Sequence, residues 1–539
     1  MTQRKKALQV GSGLAAVTLV ASWLVQRPSD WPQYRYNERR SGDQPAASAL
    51  SNPVRVPSLA VRWSWQPPVS PGAFYSSPVV YGNRVFVGNG NGHFYALDAA
   101  TGALAWQYPP AGGAALTSLY LSNPSSYGIA SSAAIARIRG RAAVIFGAPD
   151  RSIGAGLGSG RLFALDAATG SEIWKSPEVA RLTGTSHGST AELHEQIGYS
   201  APLVFFNRVY IGVADHGDNP IQKGRVVAVD VATGAIEPAF SFSATGTRGG
   251  GVWSSLAGHG DGIFVTTGNT RCWNGGCQPE PAPNHGLSML RLDKHTGALA
   301  WKLQPVPFAL DDDPDWSAGA MVMTGTCGQL VASVQKDGWA YAVFAGSAAP
   351  KPPPVRWQFP PTGYPFTPAP GISHGDTHYK KPGATWKDVL FIVTGGHSRP
   401  LDGASSGYGK LHALNACAPD ARRVRWILDV PGATHSGYSL GPPSVTGGIV
   451  YIGTDLGHVV AIADPDVSAP PASAQRCENT HYTLAQCSAA GYHPVPIPNV
   501  LADVALPLGA GDGIWTEPAL AGGRVFVTTR GGHVYMLSP

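Results

Sequence analysis

Four of the five residues from Asp311 to Asp315 are aspartates, in a chain with only 34 acidic residues among 539. Carboxylates packed this tightly repel one another unless water, a cation or a proton intervenes. The stretch "DDDPDWSAG" (311–319) therefore reads as a general base, a hard-cation site or a solvated acidic loop. Further titratable groups stand in "SHGDTHYKK" (373–381), in "GATHSG" (432–437) and at Glu517 in "WTEP", a second carboxylate expected at a channel mouth. No spacing singles out a Ser-His-Asp set. The six cysteines form no C-x-x-C, which argues against a thiolate metal site. They form no C-x-x-C-H either, so the chain offers no attachment for a c-type haem.

The elements that must position these groups come from a repeat. "GHFYALDAATGALAWQY" (92–108) recurs as "GRLFALDAATGSEIWKS" (160–176), "GRVVAVDVATGAIEPAF" (224–240) and "LSMLRLDKHTGALAWKL" (287–303). Asp98, Asp166, Asp230 and Asp293 follow one another at 68, 64 and 63 residues, and four weaker copies follow. D-x-x-T-G suits a tight turn, because Asp accepts turn N–H bonds and Gly tolerates positive φ. Alternating runs flank that turn, and two more strands precede it, as in "YSSPVVYGNRVFVG" (75–88). Four-stranded units repeated radially make a β-propeller. The last copy stops after its third strand, and "AVRWSWQPP" (60–68) can supply the fourth. The expected fold is all-β: an eight-bladed propeller of four-stranded antiparallel blades, closed by an N-terminal strand and spanning residues 30–539. Seven blades is the alternative.

Composition fits one large β domain. Hydrophobic residues make up 43% and charged residues 14%, below the roughly 25% usual in globular chains. The net charge of +5, without a basic run beyond the N-terminus, gives no nucleic-acid signal. Arg4, Lys5 and Lys6 precede an apolar run of 19 residues, Ala7–Val25. Residues 1–29 thus read as a signal peptide or an uncleaved membrane anchor, with the body periplasmic or otherwise outside the cytoplasm. The cysteines fit an oxidising compartment. Cys272–Cys277 and Cys477–Cys487 are expected as local disulfides, while Cys327 and Cys417 either pair or stay free.

The repeat and the stretch from Arg248 to Gly319 resemble the quinoprotein alcohol dehydrogenases, propellers that bind pyrroloquinoline quinone (PQQ) and a cation at their centre. The resemblance implies a floor for the quinone at Trp253, a metal-ligating amide at Asn269 in "TGN", and a cation facing the quinone oxygens at Lys336 in "SVQKDGWAYAV". It implies a quinone-binding Arg at Arg137 in "ASSAAIAR", where Ser131 and Ser132 replace the family's adjacent cysteines. That departure argues against a standard methanol- or ethanol-type enzyme and leaves relatives acting on polyvinyl alcohol as the nearer comparison. The family's acidic metal ligand has no Glu here, and Asp215 or Asp218 in "VADHGDNPIQKG" (213–224) takes its place ahead of His216. Asp313 or Asp315 matches the catalytic base.

Propeller geometry tests this set independently of the resemblance. Loops before each innermost strand and loops between the second and third strands open on one face. Asp313, Asp315 and Trp253 fall in the first class, and Asn269, Lys336, Asp215 and Asp218 in the second. The implied activity is hydride transfer from a small or polymeric alcohol to PQQ, with Ca²⁺ or alternatively a lanthanide as the cation. A separate electron acceptor, such as a cytochrome c, would follow. The rival is a non-catalytic propeller of the same ancestry, serving as a periplasmic binding or assembly scaffold.

Overall fold

The computed structural model describes residues 29–539 apart from 48, 69–70, 119–127, 185–191, 216–220, 247, 271–283, 306–314, 317, 337–338, 347–352, 360–382, 395–408, 420–421, 435–439, 480–481, 508 and 510–511. Asp311, Asp312, Asp313, Asp218, His216, Cys272, Cys277, the apolar run and "SHGDTHYKK" lie outside the described residues. Among those described, eight four-stranded antiparallel sheets form the blades of a propeller. Strands A to D of blade 1 are Val79–Tyr81, Arg84–Gly88, Phe94–Asp98 and Leu104–Tyr108. Blade 8 combines Ala519–Ala521, Arg524–Thr528 and Val534–Ser538 with Ala60–Trp65, so an N-terminal strand closes the ring.

The repeated turn explains how blades lock together. Asp98 Oδ1 accepts bonds from the Ala100 and Thr101 N–H groups and the Thr101 hydroxyl. Gly102 then turns at φ 74°, and a Cβ there would lie 2.8 Å from the Trp63 ring. Trp63 belongs to the strand closing blade 8, and its Nε1 donates to Ala99 O of blade 1 at 3.3 Å. Trp106 against Gly170 and Trp174 against Gly234 repeat this clamp. At these three junctions the Trp of one blade holds the next blade's turn, which only a residue without Cβ can present so closely; Gly297 of blade 4 packs on Ser241 instead. Between blades, apolar faces interdigitate, as where Phe94 and Phe146 stack at 4.1 Å.

Two disulfides are described. Cys327 pairs with Cys417, stapling blade 5 to blade 6 across a separation of 90 residues. Cys477–Cys487 is the local bridge expected, inside an insertion between strands C and D of blade 7. No helix among the described residues is long and apolar enough to cross a membrane.

Innermost strands of a ring leave one backbone edge facing the channel, and such edges need partners. The segment from Ser29 to Gln44 supplies them. Its carbonyls accept from the N–H groups of Gly522 in blade 8, Val80 in blade 1, Ile135 in blade 2, Gly258 in blade 4, Val322 in blade 5, Thr385 in blade 6 and Val445 in blade 7. Arg40 reaches Pro202 O at the start of blade 3. Arg35, Tyr36 and Arg40 take left-handed φ values of 60°, 72° and 59° in this segment, a strain that only an over-determined position sustains. It forms a hub to which every blade is tied.

Candidate functional site

Topology sorts the loops. Those preceding strand A and those joining B to C share one face, here the upper face. The A–B and C–D turns share the lower face. Asp315 precedes strand A of blade 5, Met321–Gly325, and is 2% exposed. Its neighbour Trp316 is fully buried between blades 4 and 5, which leaves the adjacent Asp315 at the channel end. Trp253, half-buried, precedes strand A of blade 4, Ala257–His259. Its Nε1–H donates to Asp315 Oδ2 at 2.9 Å. Lys336, at the end of strand B of blade 5, places Nζ 2.7 Å from Asp315 Oδ1 and 5.3 Å from the Trp253 ring centre. The Lys336 N–H also donates to Asp315 O at 3.0 Å, fixing the two backbones. Three residues from two adjacent blades, Trp253 of blade 4 and Asp315 and Lys336 of blade 5, thus form one contacting set.

Asn269 and Asp215 adjoin it. Asn269 is 8% exposed, just beyond strand B of blade 4, Gly262–Thr266. Its carbonyl accepts from Gly250 N at 2.6 Å, and Gly251 O accepts from Gly268 N at 2.8 Å. On the other side of the same glycine run, a Cβ on Gly251 would lie 4.0 Å from Asp215 Oδ2. Asp215 is half-buried and accepts from Gln222 N at 2.8 Å. Gly268 closes the group: a Cβ there would stand 3.3 Å from Asp315 Oδ2 and 3.4 Å from Trp253 Cδ1. The glycines leave room along the indole edge that any side chain would narrow.

Two nominations move elsewhere. Arg137 lies near the lower end of strand A of blade 2, Ala134–Ile138. It is exposed, and its Nη1 donates to Gly140 O in the A–B turn. Five residues of extended chain beyond Ser132 carry it away from the upper face, so it does not join the set. Ser131 and Ser132 stay at the channel end, both buried; Ser131 Oγ donates to Ser200 O and Ser132 Oγ accepts from Ser77 N. Glu517 is no mouth carboxylate. It is 0% exposed and binds the hub, accepting from Arg35 N and Arg35 Nη1 at 2.7 Å and from Trp31 Nε1 at 3.3 Å.

Sequence reasoning passed over a row of aromatics. Tyr75, Tyr199 and Trp515 occupy the same position before strand A as Trp253 does. Tyr75 meets Tyr199 edge-on at 6.1 Å and Trp515 at 6.3 Å, and Arg530 covers Trp515 at 3.8 Å. The motifs "YSSP", "YSAP" and "WTEP" carried that signal.

The donor chemistry suits the groups that the resemblance implies. An indole held edge-on by a carboxylate offers a fixed flat surface, and Lys336 offers a cation for anionic oxygens. A carboxylate and an amide oxygen are hard-cation donors. Among the described residues no three His, Cys, Asp or Glu side chains gather as a metal cluster. A cation here would draw on the Asn269 amide and the Asp215 carboxylate.

A family model for the glucose/ethanol/alcohol dehydrogenase β-propeller domain of the PQQ class matches residues 31–344. The dehydrogenase subunit of alcohol dehydrogenase (quinone) from Gluconacetobacter polyoxogenes is 26% identical over 292 residues, covering 46% of this chain and 36% of that protein. The corresponding subunit of Komagataeibacter europaeus is 25% identical over 365 residues, covering 59% and 44%. The chain thus matches less than half the length of these relatives. Among solved structures, the quinohemoprotein alcohol dehydrogenase of Comamonas testosteroni superposes with a TM-score of 0.62 at 17% identity, covering 95% of this chain and 81% of that one. A europium-containing methanol dehydrogenase superposes with a TM-score of 0.62 at 16% identity, covering 95% and 99%. At these identities the likeness establishes the fold alone.

Proposed function

This chain belongs to the glucose/ethanol/alcohol dehydrogenase β-propeller family, and we propose that it is an exported PQQ-dependent dehydrogenase that oxidises an alcohol at the upper end of its channel. The observation that carries this reading is the contacting set of Trp253, Asp315 and Lys336 in a member of that family. PQQ, when bound, supplies a two-electron acceptor for hydride.

Trp253 serves as the floor beneath that cofactor, its ring oriented by Asp315. Lys336 would offer its ammonium to the anionic oxygens of a bound quinone. Asn269 and Asp215 are the protein's ligands for the accompanying cation, Ca²⁺ or a lanthanide; Asp218 is an alternative in the same loop. Asp315 is the base. Trp253 and Lys336 each occupy one of its oxygens, and a carboxylate offers roughly four lone-pair sites, so acceptor capacity remains for a substrate hydroxyl proton. The Lys336 ammonium, 2.7 Å from Oδ1, holds that carboxylate in place. Asp313 is the alternative base on the same loop. Electrons then pass to a separate acceptor such as a cytochrome c.

Reconstitution with PQQ plus Ca²⁺ or a lanthanide, followed by dye reduction across small and polymeric alcohols, tests the reading. Metal-dependent turnover supports it. Failure to bind the quinone under every metal condition leaves the scaffold reading in its place.

A further inference from the structure

We propose that the lower face of the ring, opposite the site, is a membrane-surface interface that docks on an anionic lipid bilayer. The first support is where the chain emerges. Ser29 is exposed, and its carbonyl accepts from Gly522 N in the A–B turn of blade 8, on the lower face. Asp30 Oδ1 accepts from Gly82 N in the equivalent turn of blade 1. The apolar run ends four residues earlier, at Val25. Whatever holds that run therefore meets the lower face first.

The second support is charge. The A–B hairpin of blade 2 reads "ARIRGR", and Arg137, Arg139 and Arg141 are all exposed. Beside Ser29's partner, an open groove is lined by Arg55, Ser58, Gly522, Gly523 and Arg524. Guanidinium groups bind phosphate oxygens bidentately, and clustered basic residues beside an apolar segment favour anionic lipid. The aspartates of the D-x-x-T-G turns share this face, but they stand farther out, between strands C and D. Each is bound by turn N–H groups, as Asp98 and Asp166 are.

The third support is exposed apolar surface. Phe206 caps the A–B hairpin of blade 3, next to the arginine hairpin, and is 58% exposed at a left-handed φ of 49°. Lys294 Nζ sits 3.4 Å above its ring. Val54, beside the Arg55 groove, is 85% exposed. A bulky residue turned outward in strained backbone suits the boundary between headgroups and acyl chains; Lys294 is itself buried and ion-paired with Asp261, so the arginines supply the free positive charge of this face. Docked this way, the site opens away from the bilayer, toward soluble substrate and acceptor.

The full chain, labelled through Ala100→Cys on a lower-face turn or Ser152→Cys on an upper-face loop, would be added to vesicles of phosphatidylglycerol and phosphatidylcholine carrying a headgroup quencher, and to phosphatidylcholine vesicles with the same quencher. Both positions are exposed. The expected result is quenching of the Ala100 probe, not the Ser152 probe, in anionic vesicles. That quenching is lost on raising salt, and lost in the combined Arg137→Glu, Arg139→Glu, Arg141→Glu variant. Quenching of the upper probe, quenching of both equally, or insensitivity to lipid charge and salt would overturn the proposal. Salt is read on the unsubstituted arginines, so a poorly folded variant does not remove the test.

Discussion

Asp43 gives the sharpest stability prediction. It lies on the hub, bridged in parallel to Val445 of blade 7. The residue is half-buried, but its Oδ1 is buried and has no hydrogen-bond partner among the described residues. Burial pushes its carboxyl up from 3.8 to about 7. The folded state therefore holds a proton that the unfolded state has released. Between about pH 4 and pH 7 the unfolded chain ionises first, so stability falls as pH rises, and it levels above pH 7. A rise of about three pH units corresponds to about 4 kcal/mol. Asp43→Asn removes the ionisation while keeping the shape. Urea unfolding at pH 4 and pH 8, wild type against variant, cancels the other titrating groups. The variant is expected to gain up to about 4 kcal/mol over wild type at pH 8 relative to pH 4. An equal difference at both pH values, or a variant weaker at pH 8 than at pH 4, refutes the reasoning.

Three further outcomes follow from the same contacts. Glu517→Ala leaves the buried Arg35 guanidinium without its carboxylate, and loss of about 3–5 kcal/mol is expected by chemical denaturation; adding Arg35→Met should recover part of it. Cys417→Ser opens a bridge between residues 90 apart, which costs about 4–5 kcal/mol on loop-closure grounds and abolishes the effect of reductant on the blade 5–6 junction. Lys336→Met strips the cation from Asp315 and should lower turnover roughly 10²–10³-fold with folding intact, while Lys336→Arg restores part of it; steady-state kinetics and circular dichroism check both.

The ring was legible because its chemistry repeats. In three of the four D-x-x-T-G turns the glycine lies under a tryptophan of the preceding blade, so Trp63, Trp106 and Trp174 announced their blades and even the closing strand. Asp315, Trp253 and Lys336 were legible for a related reason: the repeat register puts each at the same end of the channel. Arg137 falls outside the set because it lies far along strand A of blade 2. Five residues of strand beyond Ser132 are enough to carry a side chain to the other face. Glu517 and Asp43 depend on the hub, which carries no repeat and bonds to residues as distant as Val445 and Gly522. The pairing of Cys327 with Cys417 is non-local in the same way.

The central claim is that Asp315 removes the alcohol proton. Asp315→Asn keeps the shape and one acceptor oxygen, so it retains one of the two bonds from Trp253 and Lys336 and removes the ionisable group. With quinone binding followed by Trp fluorescence and turnover by dye reduction, the account predicts that the variant binds PQQ and the cation nearly as wild type does. Its turnover should fall roughly 10²–10⁴-fold. Turnover unchanged in a variant that still binds PQQ would contradict it.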